Sequence, residues 1–219
     1  MHICGVKLHI HASLYLYLTV VLVYASLAKS THTVLIYGVL NVLSLTMHEC
    51  GHCVAAYWLH VTVEQIRISA WGGTTILSAT RDVGQDLLIA TAGPLVQLIQ
   101  VVFWYILGNL LGDSSQMHQV CWSSCVLNIF ILFFNTMIPL PHLDGPQILI
   151  AFMKLEDWSD HQIENIFKTL QTCFVIVSSV LSGFLFALND SVLAIGVLAF
   201  SLLIFFNRTS GIPNTLKKD

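Results

Sequence analysis

The chain has 219 residues, 56% of them hydrophobic and only 10% charged, with a formal net charge of -3. Soluble domains carry roughly 25% charged residues, so this composition describes an integral membrane protein and excludes an ordinary water-soluble enzyme. With 9 Lys plus Arg and no basic cluster, nothing in it is suited to grip nucleic acid.

Charge-poor stretches long enough to cross ~30 Å of hydrocarbon fall at about 9–28, 34–59, 87–111, 119–140, 169–188 and 191–207, the last two separated by Asn189-Asp190. The expectation is an all-α polytopic membrane protein with about six transmembrane helices, in one domain, 1–219. The stretches outside the spans, about 60–86 and 141–168, are each too short for a separate soluble domain. The first span has Lys7 as its only positive flank, and no clear small-x-small cleavage site follows it. It therefore reads as a retained helix rather than a removed signal peptide.

The second span carries the chemistry. From Ser30 to Val63 the one formally charged side chain is Glu49, inside His48-Glu49-Cys50-Gly51-His52. Histidines four apart share one face of a helix, a spacing at which two imidazoles can grip one metal ion. The glutamate between them is placed to act as base on a metal-bound water. A carboxylate near the bilayer centre costs at least ~2.5 kcal/mol on insertion scales, and a zinc site for hydrolysis supplies the reason to keep it. Cys50 and Cys53 form a C-x-x-C, but Cys50 projects ~200° around the helix from His48. Together with Cys121, Cys125 and Cys173, these thiols are expected to be reduced and to act as small hydrophobes.

After the second span, Glu64 to Ser78 alternates in part and contains Gly72-Gly73, which fits either a β-hairpin dipping toward the site or a solvated loop. In the third span, Gly93-Pro94 predicts a kink or thinning for close helix packing. The 40 residues from Ser114 to Met153 are too many for one straight span, and Pro139 and Pro141 predict a break within them. Irregular backbone at membrane depth survives only where it lines a protein-enclosed cavity.

Asp144 follows that break. A catalytic zinc takes three protein ligands and keeps a fourth place open, and Asp144 is the best candidate for the third. His142 is a substitute, and a plain turn in Leu-Asp-Gly-Pro is the competing explanation. The other histidines (His2, His9, His11, His32, His60, His118 and His161) lie near span ends and need no function.

With a cytoplasmic N-terminus, one side of the membrane holds Lys7, Arg67, Arg81, Lys154, Lys168, Arg208, Lys217 and Lys218, and the other holds Lys29. The positive-inside rule then places both termini in the cytoplasm. The paired histidines fall in the cytoplasmic half of the bilayer or near its middle.

These motifs, with Asn135, Pro139 and Leu143-Asp144-Gly145 in the fourth span, resemble the site-2 proteases, zinc-dependent intramembrane endopeptidases. Trp71-Gly72-Gly73-Thr74 and Ala92-Gly93-Pro94-Leu95 fit the same layout, and Leu8-His9-Ile10-His11 resembles the sporulation branch, whose member processes the membrane-associated precursor of sigma-K. The resemblance implies one Zn2+ per chain held by His48, His52 and Asp144. It further implies that Glu49 activates water and returns the proton to the leaving amine, and that Asn135 contacts substrate near the reacting carbonyl. The implied partners are the lipid bilayer, a membrane-tethered protein substrate such as a pro-sigma factor, and membrane regulatory proteins. The implied place is a bacterial cell membrane, and neither a PDZ-like insertion nor a CBS domain is expected.

Two departures stand out. Asn135 to Asp144 is nine residues where the family has eight, which leaves Thr136 at the usual offset, and Pro146 replaces the second glycine after the aspartate. The alternative function is an inactive homologue that binds membrane segments as a scaffold. A transporter is less favoured, because the six spans show no inverted repeat.

Overall fold

The computed structural model describes residues 2–3, 6–10, 12, 15, 19, 23, 31–69, 72–78, 82–111, 115–188 and 191–206. In chain order the elements are β1 (His2–Ile3), β2 (Val6–Ile10), α1 (Thr31–Trp58), β3 (Val63–Ser69), β4 (Gly72–Leu77), α2 (Val83–Leu110), α3 (Gln116–Met137), α4 (Asp144–Leu155), α5 (Asp160–Ala187) and α6 (Ser191–Phe206). They form two compact units, Met1–Phe134 and Asn135–Asp219.

In the first unit, α1 stops where sequence and geometry agree. His60 takes a left-handed φ of 57°. The amide of Val61 donates to Ala56 O at 2.8 Å and that of His60 to Tyr57 O at 3.1 Å. This paired closure satisfies the last carbonyls of the helix. Ala56 and Val61, which bracket it, are buried with Ile89 of α2. Helix α2 opens with a reciprocal cap, Gln85 N donating to Asp82 Oδ1 at 2.7 Å and Asp82 N to Gln85 Oε1 at 3.1 Å. Gln85 Nε2 also reaches Leu59 O at 3.2 Å, tying the start of α2 to the end of α1.

The strands form one sheet in the order β1-β2-β3-β4. The antiparallel β3–β4 pair matches the hairpin alternative for 64–78, with Ile66 opposite Thr75. Strand β2 runs parallel to β3, with His9 opposite Arg67 and Ile10 opposite Ile68. This corrects the expected start of the first span: His9 and Ile10 pair in a sheet. Residues 12, 15, 19 and 23 are helical, and the rest of the 9–28 span lies outside the described residues.

Between α1, α2 and α3 lies a buried polar cluster. Ser44 Oγ donates to Asn128 Oδ1 at 2.7 Å, Gln97 Nε2 to Asn128 Oδ1 at 2.6 Å and to Ser44 Oγ at 3.0 Å, and Asn128 Nδ2 to Ser124 O at 2.7 Å. Gln100 Nε2 adds a long bond of 3.4 Å to Ser44 O. In an apolar environment each such group must find a partner, and these find one another. Only Gln97 Oε1 lacks one among the described residues.

The second unit contains the expected break. Helix α3 ends at Met137, two residues before Pro139, and helix resumes at Asp144. Gln171 Nε2 of α5 donates to Pro139 O at 3.0 Å, so the broken stretch is held from the side. Ile150 and Met153 of α4 pack with Ile163 and Phe167 of α5. Much of 141–168, expected outside the spans, is helical. Ser159 caps α5 through a reciprocal pair with Gln162, a Ser-x-x-Gln signature in the sequence. That start lengthens α5 to 28 residues and moves its beginning from about 169 to 160. Helices α5 and α6 are joined by Ser201 Oγ to Ser178 Oγ at 2.6 Å and Ser182 Oγ to Ala194 O at 2.7 Å.

Among the described residues, three helices, α2, α3 and α5, are long and apolar enough to cross a membrane. Helix α1 is as long as α2, at 28 residues, and Glu49 is its one formally charged side chain. Helix α6 carries a shorter apolar stretch, Leu193–Leu202.

Candidate metal centre

On α1, a 3.6-residue repeat stacks His48 over His52 and turns Glu49 to one side. All three are buried, at 2%, 6% and 6% exposure. One ligand atom from each lies within 4.8 Å of the others. The imidazole rings meet edge to face, with centroids 4.9 Å apart and planes at 81°.

The protonation pattern follows from the neighbours. His52 Nδ1 lies 2.7 Å from the carbonyl of Ile89, which can only accept. The hydrogen therefore sits on Nδ1, and Nε2 keeps its lone pair. That Nε2 stands 3.3 Å from His48 Nε2. Two nitrogens each about 2.05 Å from one ion, at a tetrahedral angle, stand about 3.3 Å apart. The histidines already have the separation of two zinc ligands. A carbonyl on the far nitrogen is the usual device that orients such a ligand.

Helix α2 supplies both the carbonyl and the space. A Cβ on Gly93 would collide with His52 Nε2, and would come within 2.5 Å of His52 Cε1 and 2.7 Å of His48 Nε2. A side chain there would displace both imidazoles, so glycine is what lets the two rings lie directly against α2. Across the same contact, a Cβ on Gly51 would lie 2.8 Å from Val96 Cγ2 and 2.9 Å from Ala92 O. Glycine on each helix lets the two backbones approach closely. Pro94 sits inside α2 and cannot donate to the carbonyl four residues back, that of Ala90. The donor set, its spacing and this cradle fit zinc.

Glu49 is held from the sheet. Thr75 Oγ1 of β4 donates to Glu49 Oε2 at 3.0 Å, and Cys53 Sγ lies 3.8 Å from the same hydroxyl. Cys50 is exposed and Cys53 half-buried, both as free thiols. Thr75 was missed by sequence reasoning. The alternation of Gly72 to Leu77 marks a strand, but nothing in Gly-Gly-Thr-Thr says which threonine reaches α1.

The remaining expected site residues belong to the second unit. Asp144 is buried as the first residue of α4, Asn135 is half-buried in the last turn of α3, and His142 is exposed in the break between them. A Cβ on Gly145 would collide with Thr136 O and lie 2.6 Å from Thr136 C and Cα. Backbone contact between these two turns thus fixes the corner that presents Asp144.

No family model matches the chain. A zinc metalloprotease of Methanocaldococcus jannaschii is 27% identical over 151 residues, covering 69% of this chain and 44% of that protein. The match spans less than half of that relative's length. Among solved structures, the site-2 protease from Methanocaldococcus jannaschii aligns over 97% of this chain and 94% of its own, with a TM-score of 0.66 and 22% identity. The chain has the site-2 protease fold. Within that fold, the paired histidines and Glu49 lie on α1, the helix that α2 approaches through Gly51 and Gly93.

Proposed function

We propose that this chain is a site-2-type zinc metalloprotease, hydrolysing a peptide bond of a membrane-tethered protein. The observation that carries the reading is the pair of imidazole nitrogens 3.3 Å apart, packed against Gly93, with the Glu49 carboxylate beside them. A zinc-metalloprotease relative and a site-2 protease of the same fold support it.

In this reading His48, His52 and Asp144 hold one zinc. Zinc bound there supplies Lewis acidity, lowering the pKa of a water and polarising the scissile carbonyl. Glu49 would take the proton from the attacking water as the C–O bond forms, and then deliver it to the amine nitrogen as the C–N bond breaks. The Asn135 amide donates toward the oxygen on which negative charge develops. An extended substrate segment is held by strand addition to the edge of the sheet. Both termini are cytoplasmic and cleavage falls near that side, as the distribution of basic residues suggests. The substrate class is a membrane-associated precursor of the pro-sigma-factor kind, on the resemblance to the sporulation branch.

The test is zinc per chain in detergent-purified protein, wild type against Asp144→Ala. About one zinc in wild type and much less in the variant is expected. Full occupancy in Asp144→Ala would remove Asp144 from the ligand set, and no zinc in wild type after reconstitution would sink the reading.

A further inference from the structure

The hairpin does more than cover α1. Thr75 is the described side chain of the sheet whose hydroxyl donates to the Glu49 carboxylate, at 3.0 Å. A carboxylate turns easily about its last torsion, and a base must present one oxygen within about 3.2 Å of the proton it takes. A hydroxyl that fixes Oε2 sets the plane of the group. The S–H of Cys53, 3.8 Å from Thr75 Oγ1, is placed to donate into that oxygen. A weak thiol donor there leaves the single hydroxyl hydrogen directed at Glu49. Among the described residues the sheet ends at β4, whose one strand partner is β3. The backbone that carries Thr75 is therefore the backbone an added strand would grip.

We propose that Thr75 is a positioning residue for the base: its hydroxyl orients Glu49, and occupation of the β4 edge by an extended chain tightens that orientation. This rests on the protease reading above. The Thr75 hydroxyl is directed at Glu49, so its loss falls on kcat rather than on KM. A general base contributes about 10²–10⁴-fold, and a base that remains but is poorly aimed forfeits about 10- to 100-fold of it.

The experiment compares Thr75→Val, which keeps shape and loses the hydroxyl, with Thr75→Ser, which restores it. The probe is a fluorescence-quenched single-span peptide, extended on its cytoplasmic side, reconstituted with the full chain in proteoliposomes. Thr75→Val should lose about 10- to 100-fold in kcat with KM, zinc content and thermal midpoint near wild type, and Thr75→Ser should recover most of the loss. Unchanged kcat in Thr75→Val overturns the proposal. A loss of kcat matched by a fall in thermal midpoint or zinc content also overturns it, because the hydroxyl would then merely tether the hairpin. A second readout needs no substrate. The Glu49 carboxylate stretch, assigned as the infrared band that Glu49→Gln removes, should shift in Thr75→Val and return in Thr75→Ser. If wild type does not cut the probe, the protease reading is in question, and this band alone decides whether Thr75 holds Glu49; an unmoved band rejects it.

Discussion

Two polar clusters lie one helical turn apart on the same pair of helices, and they are built in opposite ways. Ser44 precedes His48 by four residues on α1, and Gln97 follows Gly93 by four on α2. In the amide cluster, Ser44, Gln97 and Asn128 direct donors and acceptors at one another at 2.6–3.0 Å. In the histidine cluster, His52 turns its hydrogen outward to Ile89 and faces its lone pair toward the nitrogen of His48. One cluster turns its side chains on one another, Gln97 Oε1 excepted, and joins three helices. The other sets two imidazole nitrogens 3.3 Å apart against a glycine. What separates chemistry from scaffolding in this apolar protein is whether the polar groups close on each other, not how polar or how buried they are.

Substitutions in the two clusters should therefore separate catalysis and zinc from stability. Glu49→Gln is expected to have the largest effect. It should remove about 10²–10⁴-fold of turnover while zinc stays near wild type, checked by cleavage of the single-span peptide alongside metal analysis. Gly93→Ala comes next. Its methyl would displace both imidazoles, so zinc affinity should fall at least about tenfold, in the range lost when ligand orientation is disturbed. Competition with a chelator measures this, and wild-type affinity would mean that Gly93 does not set the placement of the imidazoles.

Asn128→Leu should act the other way. It strands Ser44 and Gln97 without touching a ligand, at a cost of about 1–3 kcal/mol in stability, seen as a lower thermal midpoint with zinc content unchanged. Ser44→Ala removes one hydroxyl from the same cluster and should cost about 1 kcal/mol. If Ser44→Ala released zinc while barely altering the midpoint, the two clusters would not be separate devices.

The parts of this molecule that sequence revealed are those set by local spacing. Histidines at 48 and 52 needed only the helical repeat, and the break before Asp144 needed only Pro139 and Pro141, while alternation with Gly72-Gly73 left 64–78 open between a hairpin and a loop. What sequence hid is set by contacts distant along the chain. Strand β2 read as the start of an apolar span because Leu8 and Ile10 are hydrophobic, and only its partner β3 makes it a strand. Gly93 read as ordinary packing because its collision is with histidines more than forty residues away. The start of α5 was legible but overlooked: the Ser159–Gln162 cap was in the sequence, while hydropathy located only the membrane-buried part of the helix.

The partner that sets the His52 tautomer is a backbone carbonyl, and this limits what genetics can find. Saturation mutagenesis at position 89 would register only the packing of a buried isoleucine against Ala56 and Val61, since every amino acid placed there brings the same carbonyl. A map of loss-of-function alleles would mark the histidines and Gly93 and pass over the group that orients His52. Only a change in the main chain exposes it. Replacing Ala90 with its α-hydroxy acid turns the Ile89 amide into an ester, a poorer acceptor, and weakens the hydrogen bond to His52, at the added loss of the Ala90 N–H from the helix, with no side chain changed.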